Sequence, residues 1–264
     1  MSSRKTMKCS CFAFGAMLMV ASFTAAQIPS PPQPQSQQQQ QQQPPPQNLQ
    51  ILPKDTTREQ LLQTMQAFTQ ALGVQCSYCH VQEGRGGRND MASDEKRTKL
   101  AARQMIVLAR DINQKLPAAV NKPAEEATRV SCATCHRGVP IPRALADILT
   151  DTEKDKGIDA AIAQYWDLRK NFFGRAAYDF GEPSLIAAAT RLTSDKPDAA
   201  LKLLEINAQF YPNSSRSYTA MSQAHMKKND KEQAIKDLEK AAALDPQNAG
   251  LKRQLDQLKG PTGE

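Results

Sequence analysis

Two pentapeptides, CSYCH at 76–80 and CATCH at 132–136, contain every cysteine of this 264-residue chain beyond its first 26 residues. Each is a Cys-x-x-Cys pair followed at once by histidine. Three chemistries use such a pair. A thiol–disulfide site needs it at a helix start in a strand–helix setting, but helical patterns precede both pairs here and no strand pattern is evident. A zinc site could pool the two pairs, as four thiolates or a thiolate–imidazole mixture. That leaves the histidine after each pair unexplained, and exported thiols tend to oxidise. Covalent haem attachment accounts for every feature. The thiols of Cys76 and Cys79, and of Cys132 and Cys135, would add to haem vinyl groups, and His80 and His136 would supply the proximal imidazoles.

The compartment follows from the first 26 residues. "MSSRKTMK" is basic, and "CFAFGAMLMVASFTAA" is an apolar run ending in small residues. This is a secretory signal pattern with cleavage expected after Ala26, the alternative being an uncleaved membrane anchor. Either way the chain is exported, to a bacterial periplasm. Cleavage removes Cys9 and Cys11. It also removes three cations, Arg4, Lys5 and Lys8, which lowers the formal charge from +7 to +4. So mild and evenly spread a charge argues against a nucleic-acid partner.

Residues 27–50 are rich in proline and glutamine with almost no apolar residues to bury, so a disordered linker is expected there. From 51 to 145 the pattern is helical. Leu61, Met65, Phe68 and Leu72 share one helical face, opened by Thr56 with Glu59 at capping-box spacing and closed by Gly73. Ala101, Met105, Leu108 and Ile112 share another, with Ser93 as the expected N-cap and Asp94 and Glu95 in the first turn. Both faces run at offsets −4, 0, +3 and +7 about a methionine. A Cys-x-x-Cys-His follows each, 11 positions after Met65 and 27 after Met105. The pattern is an internal duplication with a longer second loop.

The sixth iron ligand can be sought by elimination. Besides His80 and His136 the chain has only His225, at a helix-packing position of a repeat. Bis-histidine ligation of two haems by this chain alone is therefore excluded. Among methionines outside the leader and the repeats, Met65, Met91 and Met105 remain. Met65 and Met105 hold matched positions and are the expected ligands, against the alternative that each only fills core space. Met91 is the fallback. Arg85, Arg88 and Arg137 are either partners for haem propionates or ordinary surface arginines.

"LPKDTTREQLLQTMQAFTQALGVQCSYCH", and "MASDEKRTKLAARQMI" through "VSCATCHRG", resemble the haem-binding units of the photosynthetic reaction-centre cytochrome c subunit. The resemblance covers about residues 50–140. It implies that Met65 and His80 ligate one iron and Met105 and His136 the other, and that electrons pass between closely spaced haems. The implied partners are a redox donor and acceptor, a photosynthetic reaction centre or a respiratory complex. The chain departs from the best-known members in having two units, where they have four, and in its C-terminal part.

That part carries a 34-residue period. Tyr218, Met221, Ser222, His225, Ala234, Leu238, Ala241 and Pro246 fill the tetratricopeptide spacing over 215–248. A degenerate copy 34 residues earlier places Ala187, Ala188, Ala200, Leu204, Asn207 and Pro212 at equivalent points. About three repeats are usually needed for stability, so the helix expected over 157–173 is assigned to supply packing. The expected fold is all-α: a small diheme cytochrome domain with few regular helices (51–145), a helical connector (146–180), and a tetratricopeptide-like hairpin array with a closing helix (181–264). The expected activity is electron transfer through two covalent c-type haems, with the repeats docking a protein partner. No enzymatic role is expected.

Overall fold

The computed structural model describes residues 45–82 and 90–260. The leader, most of the 27–50 linker, Arg85 and Arg88 lie outside the described residues. Within them the protein is helical, with ten α-helices and no strand; an isolated antiparallel bridge joins Val81 to Asp90.

Helix α1 (Arg58–Leu72) is capped by Thr57, one residue later than the expected Thr56. Thr56 spends its hydroxyl on the Pro53 carbonyl, closing a turn. Thr57 then caps the helix, with Gln60 returning a bond to the Thr57 N–H. Gly73 ends α1 in the left-handed region at φ +64°, as expected of a glycine in that place. Helix α2 (Arg97–Ala119) starts four residues beyond the expected Ser93 cap. Residues 90–95 instead form side-chain-bonded turns: Asp90 accepts the N–H groups of Ala92 and Ser93, and the Ser93 hydroxyl accepts that of Glu95. Asp94 contributes an ion-pair cluster in place of a helix first turn. CATCH is itself the short helix α3 (Cys132–His136), whereas CSYCH opens with a single 3-10 turn over Cys76–Tyr78.

Seven further helices build the array: α4 (Leu145–Lys156), α5 (Ile158–Phe172), α6 (Glu182–Leu192), α7 (Pro197–Phe210), α8 (Ser215–Lys227), α9 (Lys231–Leu244) and α10 (Ala249–Lys259). They pair as hairpins α4/α5, α6/α7 and α8/α9, and α10 closes on α9. One continuous core runs from Leu145 and Leu149 through Tyr165, Leu203 and Leu204 to Leu238 and Leu251. Each large apolar side chain so buried contributes about 1.5–3 kcal/mol before entropy is counted. The connector is thus the third hairpin of the array, which answers the shortage of repeats.

Two boundaries shift. Leu145 belongs to the array's core. At the other end Leu49 is buried and Asn48 bonds to Asp94, so residues 48–50 belong with the first domain and not with the linker. The degenerate repeat also needs correction. Its second helix matches the later copy at 34 residues, Ala200 with Ala234 and Leu204 with Leu238. Its first helix matches at 33, because the buried Leu185, Ala188 and Ala189 correspond to Tyr218, Met221 and Ser222. Ala187, expected opposite Met221, faces outward. Helix α6 is two residues shorter than α8 and the turn after it one residue longer, so the earlier copy is one residue short between its two helices, and this hides the period.

Candidate haem-binding site

The domain before Gly138 contrasts with the array. Of its described residues only Leu49 and Ala71 are buried. The apolar stripe of α2 lies open, with Met105 54% and Leu108 49% exposed and Ile112 and Ala101 on the same face. A helix stripe of this width normally packs against a core. A flat apolar macrocycle would serve as that core, so the lining fits haem. Met65, midway along α1, is half-buried.

Backbone contacts tie both helices to both motifs. At its start, α2 is fixed to the first motif: the Thr98 hydroxyl donates to the Tyr78 carbonyl and the Lys96 ammonium to that of Ser77. Fifteen residues on, Asn113 grips the entry to the second, donating to the Val130 carbonyl at 2.8 Å and accepting its N–H at 2.7 Å. At 1.5 Å rise per residue these anchors stand about 22 Å apart along the axis. Met105 lies between them, seven residues from one and eight from the other, so proximity along the helix favours neither motif. Helix α1 leads directly into the first motif and ends on the second, where the Gly138 N–H donates to the Ala71 carbonyl at 2.9 Å. Gly73 is required twice there. Its φ is positive, and a Cβ would stand 2.1 Å from the Gly138 carbonyl oxygen.

The two histidines share one arrangement. His80 Nδ1 lies 3.0 Å from the Met91 carbonyl oxygen, and His136 Nδ1 lies 3.0 Å from that of Val139. A carbonyl only accepts, so Nδ1 carries a proton in each ring, and Nε2 is the nitrogen left for another partner. This is the orientation that a second partner imposes on a metal-bound imidazole. Burial, aided by the cations of Lys99, Arg103 and Lys96, lowers the His80 pKa, and the Met91 bond acts against it. The neutral ring needed for ligation is thereby favoured.

The competing chemistries fit poorly. All four cysteines are unpaired. Burial raises the Cys79 thiol, an effect only partly offset by the Thr98 hydrogen bond and the Lys96 charge, whereas reactive redox cysteines are driven the other way. Among the described residues no three Cys, His, Asp or Glu side chains stand close enough to hold a metal ion, so the pairs are not pooled as zinc binding would require. Arg137, in the left-handed region at φ +50°, turns its guanidinium to the Thr134 and Ala176 carbonyls. His225 packs within the array between Asp230 and Asp237.

Several residues that build the site carry no chemistry readable from spacing. Met91 contributes its carbonyl, while its side chain is exposed. Asn113 and Thr98 sit on helix surfaces that look merely polar. Gly138 could have been suspected, as a glycine two residues after a motif, but its partner Ala71 could not.

Fold and site together define a helical c-type cytochrome domain followed by a tetratricopeptide-like array. The chain belongs to the photosynthetic reaction centre cytochrome C subunit family, whose profile matches residues 14–180; a tetratricopeptide repeat profile matches 215–248. Among curated proteins it is similar to cytochrome c-554 of Chloroflexus aurantiacus, 39% identical over 93 residues, 35% of this chain and 20% of the relative. It is also similar to the photosynthetic reaction center cytochrome c subunits of Roseobacter denitrificans, 37% identical over 36% of this chain and 25% of the relative, and of Thermochromatium tepidum, 37% identical over 37% and 22%. The chain thus aligns with only a fifth to a quarter of the length of these relatives.

Proposed function

We propose that the protein is an exported diheme electron carrier, with Cys76/Cys79 and Cys132/Cys135 as the covalent attachment points and His80 and His136 as proximal ligands. The observation that carries this reading is the matched pair of Nδ1 hydrogen bonds. Each engages Nδ1 with a backbone carbonyl and leaves Nε2 as the ring nitrogen available for ligation beside a Cys-x-x-Cys pair. Met65 and Met105 serve as the opposite ligands, Met65 with His80 and Met105 with His136. The family resemblance supplies these pairings, and the exposed sulfur-bearing face of α2 supports the second. Bound haem supplies one-electron chemistry, and histidine–methionine ligation raises its potential. The chain's own work is to orient the imidazoles, to hold both motifs on one helix, and to offer each iron a methionine as well as a histidine, so that the protein would carry electrons and would not act as an enzyme. The array from 145 to 260 docks a protein partner, a redox donor or acceptor such as a reaction centre or a respiratory complex, on the periplasmic side of the membrane.

The test is a redox titration with optical spectra on the exported protein. Two low-spin couples are expected, with the weak red-edge charge-transfer band of methionine-ligated ferric haem. That band should lose about half its intensity in Met65→Leu and in Met105→Leu. High-spin spectra, or a band unchanged in both variants, would refute the ligand assignment.

A further inference from the structure

The two histidine hydrogen bonds match in length and differ in surroundings. The Met91 carbonyl that accepts from His80 also accepts from the Lys99 ammonium, at 3.0 Å. Two 3.0 Å legs put the Lys99 Nζ within about 6 Å of the ring nitrogen. Lys99 is fixed there by the carbonyls of Ala92 at 2.9 Å and Ser93 at 2.7 Å and by Asp94 at 3.2 Å. Its side chain is only 12% exposed, and that of Arg103, which pairs with the same Asp94, only 11%. Lys96 approaches from the first motif, on the Ser77 carbonyl. Among the described residues, the cations Lys96, Lys99 and Arg103 thus act on His80, with the Asp94 carboxylate pairing two of them. Among the described residues no side-chain cation bonds to the Val139 carbonyl that accepts from His136; the adjacent Arg137 is turned toward Thr134 and Ala176.

We propose that Lys99 makes the two sites unequal, so that the haem held by His80 has the higher potential of the pair. The inference rests on the two-haem reading above. Two effects of one sign support it. Ferric haem carries one positive charge more than ferrous haem, so a shielded cation nearby disfavours the oxidised form. Lys99 also draws electron density from the Met91 oxygen. His80 then keeps less imidazolate character and donates less to ferric iron, a lever exerted through the ligand's hydrogen-bond partner. Asp94, paired with both Lys99 and Arg103, opposes both effects. An electron shared by the pair rests on the His80 side, and the His136 side fills after it.

Potentiometric titration of wild type, Lys99→Met, Lys99→Arg and Asp94→Asn, each with its haem count by intact mass, decides the matter. Lys99→Met should lower the higher couple by threefold to tenfold in equilibrium constant, about 30–60 mV at 59 mV per decade, and leave the lower couple in place. Lys99→Arg should hold it, and Asp94→Asn should raise it. Loosening of the 91–99 turns would move the Lys99→Met and Asp94→Asn couples the same way, so opposite signs separate charge from packing. An unmoved higher couple, equal shifts of both couples, or shifts of one sign in the two variants would overturn the proposal. A wild-type count other than two would remove the two-haem reading itself.

Discussion

Replacing Gly73 with alanine should damage the protein more than its exposed, loop-adjacent position suggests. Two costs add. At φ +64° a β-carbon forces an L-residue into the left-handed region, about 1–2 kcal/mol. That β-carbon would also stand 2.1 Å from the Gly138 carbonyl oxygen and 2.9 Å from its carbon. These are backbone atoms, so α1 and the second motif must separate. The hydrogen bond from the Gly138 N–H to the Ala71 carbonyl is then weakened or lost, a further ~0.5–1.5 kcal/mol. The expected total is about 1.5–3.5 kcal/mol. Gly138→Ala is the matched control. Its φ is +85°, but nothing lies within 4 Å of the added carbon, so only the backbone cost applies. Guanidinium unfolding of the haem-loaded variants, followed by circular dichroism and haem absorbance, would give both midpoints. If Gly73→Ala came within ~0.5 kcal/mol of Gly138→Ala, the close approach of α1 to the second motif would be wrong.

Asn113→Ala removes both bonds to Val130 and should cost about 1–3 kcal/mol in the same assay; a neutral result would mean that α2 does not fix the second motif. The Arg103 guanidinium first, then the Asn48 amide and Lys99, hold the Asp94 carboxyl well below the usual carboxylate range. Its contribution is therefore fully present above about pH 4 and lost as pH falls through the depressed folded value. The stability gap between wild type and Asp94→Asn should stay constant from neutral pH to about pH 4 and close below it; a gap independent of pH down to about 2 would contradict the cluster. Truncation before residue 181 leaves Leu145, Leu149, Tyr165 and Phe180 without their partners in α6–α8 and should give aggregating protein. Truncation before residue 145 should leave a soluble domain, checked by size-exclusion chromatography; the reverse order would place the domain boundary elsewhere.

The helices were legible wherever one face repeated, and both motif helices stand where Met65 and Met105 predict them. Their starts were not, because short polar side chains compete for them. Thr56 and Thr57 are chemically alike, and only the Pro53 turn decides which one caps. Asp94 reads as a helix first-turn residue until Lys99 and Arg103 are seen to fold back onto it. The second repeat matched its spacing, whereas the first was blurred because its first helix is two residues shorter and the turn after it one residue longer. Cysteine and histidine carried the site's chemistry on their faces. The residues that orient them act through backbone carbonyls, which every residue type possesses, and so they leave no mark in composition or spacing.

Intact mass spectrometry of the denatured, exported protein tests the central claim most directly. The account predicts the mature chain plus two haems that survive denaturation, falling to one when Cys76 and Cys79 are both replaced by alanine. A mass lacking two hydrogens per cysteine pair, as disulfides would give, or a bare chain that has shed a metal, would contradict it.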